Sequence, residues 1–158
     1  MDNYTQLQDQ LDDIYDHNPF VQLLEIKIVS RGRGSAVLSM PVSLGKHTNL
    51  HRIAHGGAIS TLADTAMGFA CGTLNQKVVT LDMNINFMHG AKPGGNIYAR
   101  ATVLHHGKNT LVVESEIVNE VDQLLAKSRG TFFVVGHFVA ENFVVGSDVD
   151  ATDQHSHS

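Results

Sequence analysis

The chain has 158 residues, 42% of them hydrophobic and 17% charged, with a formal net charge of −5 and a single cysteine. Size and composition fit one globular domain, no run reaches the roughly 18 apolar residues of a membrane span, and one cysteine cannot build a disulfide framework. The acidic start MDNYTQLQDQLDD lacks the basic and apolar segments of a signal peptide, so a reduced, cytoplasmic protein that does not enter membranes is expected.

Residues 5–16 place Leu7, Leu11, Ile14 and Tyr15 at helical spacing, and Asn18-Pro19 ends that helix. Two extended runs follow, 23–30 and 34–42, joined by the hairpin signal Arg31-Gly32-Arg33-Gly34. Residues 43–54 show no period and read as loop. The spacing predicts a helix over 55–73. Residues 77–88 then alternate, with Val79, Leu81, Met83, Ile85 and Phe87 on one face and Thr80, Asp82, Asn84 and Asn86 on the other. Pro93-Gly94-Gly95 is a turn. Residues 96–104 alternate again, 105–109 form a loop or bulge, and 110–118 and 123–135 supply the remaining strands. Residues 1–19 therefore read as a helical extension, 20–140 as the domain, and 141–158 as a polar tail expected to be disordered. Strands in runs on both sides of one long helix argue for a mainly antiparallel sheet packed on that helix, an α+β fold, and against a parallel doubly wound one.

The helix is unusual. Gly57, Ala58, Ser60, Ala63, Ala66, Gly68, Ala70 and Gly72 are small, as a helix with strands close on several sides requires. An interior glycine costs up to about 1 kcal/mol against alanine, so close packing or ligand approach must offset it. Gly56-Gly57 at its start leaves backbone N–H groups uncovered, at the positive end of the helix dipole. Such an end can hold an anion or a carbonyl oxygen gaining charge; an ordinary glycine-rich helix start is the plainer alternative. Asp64 lies two turns on, among small and apolar neighbours at 57, 60, 61, 67, 68 and 71. Aspartate is a poor interior helix residue, and this is not a solvated charged stripe. Gly57 and Asp64 are separated by about 10 Å along the axis. A base must reach the atom it serves, so the two can act on one substrate most simply if they come from different chains of a symmetric dimer.

Asn49, then His55-Gly56-Gly57, then Leu62-Ala63-Asp64-Thr65-Ala66 resembles the signature of hotdog-fold acyl-CoA thioesterases, most closely the phenylacetate-pathway (PaaI-like) subgroup. Leu81-Asp82-Met83-Asn84-Ile85-Asn86-Phe87-Met88, Pro93-Gly94 and His106-Gly107-Lys108 match its later pattern. The resemblance covers about residues 20–137. It implies a long central helix wrapped by a mainly antiparallel sheet of five or six strands, here with an extra N-terminal helix, and assembly as dimers or dimers of dimers. It implies hydrolysis of an acyl-CoA to free acid and CoA, with no cofactor beyond the CoA of the substrate. By resemblance, the Gly57 N–H polarises the thioester carbonyl, His55 shapes the turn and Asn49 places substrate or water. Asp64 of the partner chain serves as general base or nucleophile. Thr80 sits near where some relatives carry a water-orienting hydroxyl. Gly56 belongs to the substrate-binding turn. The resemblance puts CoA near His106, Gly107, Lys108, Asn109 and Thr110, and Lys92 and Lys108 are candidate phosphate contacts. Charge agrees: residues 1–16 hold five acids and no base and 141–158 hold four and none, leaving 17–140 at +4, which attracts an anion. The bases form no run with interleaved aromatics, which argues against nucleic acid.

Other constellations carry less. His51 and His55 have the i, i+4 spacing of a zinc helix without the glutamate of that motif, in a loop. His105 and His106 would face opposite ways on a strand, and His155 and His157 are in the tail; no metal site is expected. Cys71 reads as a buried small hydrophobe. Ser60 and Ser115 lack a nucleophile-elbow context, and Asp82 reads as an exposed or interface residue. Two rivals stand beside the thioesterase. A non-catalytic hotdog module that binds acyl-CoA as a sensor or assembly domain would need no carboxylate at 64. A hydratase on the same fold would pair His with Asp or Glu in an arrangement absent here.

Overall fold

The computed structural model describes residues 2–140. The disorder expected for 141–158, with His155 and His157, lies outside the described residues. Helix α1 (Asn3–Asp16) starts at Asp2, whose carboxylate accepts from the Thr5 N–H at 2.7 Å, and buries Leu7 and Leu11 completely. Asn18-Pro19 ends it and also begins a second helix, α2 (Pro19–Leu23). Asn18 Oδ1 accepts from the N–H groups of Phe20 and Val21 at 3.0 and 3.1 Å, and Pro19 takes the first helical position. The extended run expected over 23–30 is thus corrected: strand β1 begins only at Lys27.

Strands β1 (Lys27–Gly32) and β2 (Ser35–Pro41) form the expected hairpin. Gly34 turns it at φ +71°, and its N–H donates to Thr73 Oγ1 at 2.8 Å, fastening the hairpin tip to the far end of the long helix. That helix, α3 (Gly56–Gly72), lies within a residue of its predicted bounds. Strands β3 (Gln76–Phe87), β4 (Asn96–His106), β5 (Thr110–Asn119) and β6 (Leu124–His137) complete one six-stranded sheet in the order β1-β2-β4-β5-β6-β3, every neighbouring pair antiparallel. The result is the expected α+β architecture. No helix among the described residues is long and apolar enough to cross a membrane.

Alternation carries the core. Ala36, Leu38 and Met40 of β2, Ile97, Ala99 and Ala101 of β4, Leu111, Val113 and Ile117 of β5, and Ala126 and Phe132 of β6 are all buried against α3. Many are small, and the helix answers with Ala63, Ala66 and Ala70, so backbones approach closely. Gly72 has a specific reason: a Cβ there would come within 2.6 Å of Leu11 Cδ2. Its missing side chain seats α1 on α3. An ion pair between Arg31 and Asp12 ties α1 to the edge strand as well.

Bulges bend the sheet round the helix. Each leaves one residue without a register partner: Val29, Leu81, Leu104, Leu125 and Val135. Four of these are exposed, Leu81 by 58% and Leu104 by 50%. Two expectations are corrected here. The single-face alternation over 79–87 is broken at Leu81: Val78 packs on the core before the bulge, whereas Met83 and Ile85 do so after it. Likewise, His105 and His106 belong to β4, because the bulge at Leu104 resets the register and lets pairing run on to Leu111.

Candidate active site

Loop 43–54 delivers the start of α3. His47 anchors it. The ring is fully buried, Nε2 donates to the Leu24 carbonyl at 2.7 Å, and Nδ1 accepts from the Ser43 N–H and hydroxyl at 3.2 and 2.9 Å. The His55 N–H donates to His47 O at 2.7 Å and the Ala54 N–H to Ala91 O at 2.8 Å. Asn49 folds this loop on itself: its Oδ1 accepts from the N–H groups of His51 and Ile53 at 2.9 and 3.4 Å. The side-chain oxygen is therefore spent, and only its NH2 is available to a ligand.

His55 is the N-cap of α3. Its Nδ1 accepts from the Gly57 N–H at 2.8 Å. This qualifies the picture of an uncovered glycine turn: the Gly57 N–H points into the exposed helix start but rests on the His55 ring. Because Nδ1 accepts, the neutral ring carries its proton on Nε2. Gly56 is crowded from the other side, where a Cβ would meet the Phe87 ring at 3.3 Å.

Along the helix the hydroxyls turn inward on the backbone. Ser60 donates to Gly56 O at 2.7 Å, Thr61 to Gly57 O at 2.9 Å and Thr65 to Thr61 O at 2.7 Å. That leaves Asp64 as the one charged group on this helix. It is half-buried, and its Oδ1 accepts from Thr80 Oγ1 at 2.7 Å. The bulge at Leu81 is what aims Thr80: register runs through Thr80–Phe132, then resumes at Asp82–Thr131. Thr80 and Asp64 open into a cleft of about 460 Å³, also lined by Tyr15, Phe20, Val78 and Phe132. Tyr15 and α2 were not foreseen at the site. The only sequence signals were a tyrosine on the apolar face of α1 and the Asn18-Pro19 helix start.

The remaining candidates separate. Lys92 is exposed beside a second cleft that also contains Glu120. The 106–110 segment is the β4–β5 turn, closed by the Gly107 N–H donating to Thr110 O at 2.9 Å. A Cβ on Gly107 would meet that same oxygen at 3.0 Å. Asn109 is held there by its carbonyl, which accepts from the Val134 N–H at 2.8 Å. Lys108 is exposed, and His106 is held below its usual pKa by burial, then by the charges of Arg33 and His105. Lys92 precedes β4 and Lys108 follows it, so the 11-residue strand puts roughly 33 Å between them. Within one chain they do not share a phosphate.

The side chains set aside lie away from this cleft or are already engaged. Cys71 is buried and its thiol is pushed up to about 12 by that burial. Ser115 is buried and bonded to Ser128 at 2.7 Å. Asp82 is exposed on the edge strand. Among the described residues no three His, Cys, Asp or Glu side chains are grouped to hold a metal.

Known proteins can now be set beside this geometry. Residues 51–126 match the sequence model of the thioesterase superfamily. The acyl-coenzyme A thioesterase PaaI of Escherichia coli is 34% identical over 123 residues, covering 78% of this chain and 87% of that protein. The solved structure of E. coli PaaI, from the phenylacetic acid degradation operon, superposes with a TM-score of 0.79 at 31% identity, over 85% of this chain and 96% of that one. A Streptococcus mutans protein solved with acetyl CoA bound superposes with a TM-score of 0.68 at 31% identity, over 71% and 90% of the two chains.

Proposed function

The chain belongs to the thioesterase superfamily, in its PaaI-like hotdog group, and is an acyl-CoA thioesterase; from that premise we propose that it hydrolyses its substrate at a site built by two subunits, the α3 start of one facing Asp64 of the other. The observation that carries this is the Asp64 carboxylate, fixed by Thr80 at 2.7 Å on an otherwise uncharged helix face and open to a cleft. Its separation from Gly57, about 10 Å along one helix axis, favours a partner's helix start as the carbonyl site.

Water adds to the thioester carbonyl carbon while one of its protons passes to Asp64. The Gly57 N–H, at the positive end of α3, donates to the oxygen that gains charge. In the free chain this N–H rests on His55 Nδ1, so the carbonyl shares or takes over a donor already held in orientation. The C–S bond then breaks and the thiolate recovers the proton from Asp64, giving free acid and CoA. Direct attack by Asp64, through a mixed anhydride that water opens, uses the same groups. Single turnover in labelled water separates the two, since label enters the Asp64 carboxylate only in the second. Thr80 orients the carboxylate, and the Asn49 amide donates to substrate or water.

Strand β3 lies at the edge of the sheet and exposes Val79, Leu81 and Phe87. Pairing with a second copy along this edge covers apolar surface and brings two sites together. CoA phosphates reach the 106–110 turn with Lys108, or Lys92 from the other end of the fold. The location is cytoplasmic in this reading.

The test is a panel of acyl-CoA substrates followed with a thiol-detecting dye, on wild type and Asp64→Asn. Thiol release is expected from wild type, and a loss of 10²- to 10⁴-fold in the variant. Saturable acyl-CoA binding without release would favour the binding module instead.

A further inference from the structure

The cleft beside Asp64 has a wall that the chemistry above leaves idle. Helices α1 and α2 supply Tyr15, Phe20 and Val21, facing Phe132 and Phe138. The polar groups that line it are mostly committed. Asn18 Oδ1 caps α2, Thr65 donates to Thr61 O, Gln76 Nε2 donates to Leu74 O at 3.1 Å, and the Lys77 ammonium lies 5.3 Å over the Phe138 ring. The Tyr15 hydroxyl is different: it has no hydrogen-bond partner among the described residues. Its ring is held edge-on to Phe69 at 4.8 Å between centroids, so the hydroxyl is fixed in place. Burial raises its pKa well above the usual tyrosine value, and the charges of Cys71 and Asp64 add to the rise, so it remains a protonated donor. Its oxygen reaches solvent in this largely aromatic cleft, so a ligand seated there takes over from water a donor already held in orientation.

Its position sets what that ligand carries. The hydroxyl lies 3.5 Å from where a Cβ on Gly68 would stand. Gly68 is one helical turn beyond Asp64, about 6 Å of rise. An acyl chain whose carbonyl is at Asp64, running along α3, reaches Tyr15 at that distance.

We propose that Tyr15 is a specificity-determining residue, whose hydroxyl donates to a keto or hydroxyl oxygen carried on the acyl group roughly one helical turn from the thioester carbonyl. The inference rests on the thioesterase reading and adds the class of acyl group to it. The preference follows from the asymmetry of hydrogen bonding: a site built to pair with an acceptor discriminates against the analogue that lacks it.

The test compares hexanoyl-CoA with 5-oxohexanoyl-CoA, which differ by one keto oxygen, on wild type and Tyr15→Phe. Wild type is expected to favour the keto substrate by about tenfold in kcat/KM, the worth of one net hydrogen bond, and Tyr15→Phe to bring the ratio to about one. A purely structural Tyr15 would lower both rates and leave the ratio alone. A wild-type ratio near one, or a ratio that survives the substitution, overturns the inference while leaving the thioesterase in place. Failure of wild type to hydrolyse either substrate, or any of the wider panel, removes the thioesterase reading and this inference with it.

Discussion

Replacing Thr80 by valine keeps the shape of the side chain and removes one atom's chemistry: the hydroxyl that donates to Asp64 Oδ1 at 2.7 Å. A hydrogen bond to a charged acceptor contributes about 1.5–3 kcal/mol in a dry setting. Thr80 is exposed and Asp64 only half-buried, so water partly replaces the lost donor and the low end applies. That is about 1.5 kcal/mol, a fall in rate of slightly more than tenfold. Thr80 does not touch substrate in this scheme, so the fall belongs in kcat, with KM nearly unchanged. Folding stability changes by less than about 0.5 kcal/mol, because the position is on the surface of an edge strand. Steady-state thiol release and urea unfolding are measured on wild type, Thr80→Val and Thr80→Ser, and serine, which restores the donor, recovers most of the activity. If Thr80→Val turns over within twofold of wild type while Asp64→Asn is inactive, the carboxylate needs no orientation by Thr80 and the reasoning fails.

Three further outcomes are expected. Asp64→Ala and Gly57→Pro are each inactive alone, but co-expressed they recover about a quarter of wild-type activity: half the dimers are mixed and each has one intact site of two. Recovery near zero, with mixed dimers present by mass spectrometry, rejects the shared site. Gly72→Val forces a side chain into space held by Leu11 and destabilises the fold by about 1–3 kcal/mol in urea unfolding; an unchanged midpoint shows that α1 is not seated as described. Glu114 is held below its ordinary value of 4.5 by hydrogen bonds from Arg129 and Lys127. A depressed carboxylate stabilises the fold fully above its unfolded pKa and loses that contribution as pH falls through the lower folded one. Glu114→Gln flattens the stability–pH curve in that acid range, and a slope equal to wild type contradicts the pairing.

The long helix could be read from the chain because its information is local. A histidine and two glycines open it, a run of small residues continues it, and the period survives to Gly72. Asp64 stood out for the same reason, as a charge among alanines and threonines. What escaped depends on distant partners. Whether Leu81 shares a face with Met83 is decided by pairing to Phe132 and Thr131, some fifty residues away, and alternation of apolar residues looks the same with or without the bulge. Asn18-Pro19 carried two messages, a stop and a start, and only the stop was read. Tyr15 reaches the cleft because Gly72 lets Leu11 settle, a packing event with no counterpart in any single window. Lys92 and Lys108 looked equivalent as basic loop residues, and only the length of β4 sets them at opposite ends.

The seating of the first helix on Gly72 separates two jobs that enzymes often entangle. In the proposed scheme, bond breaking relies on the long helix and its edge strand, while Tyr15, from the segment of some twenty residues that joins the frame from outside, helps choose the acyl group. Such a leading segment can be exchanged or redesigned as a cassette, leaving the hydrolytic apparatus intact while a different tail is admitted.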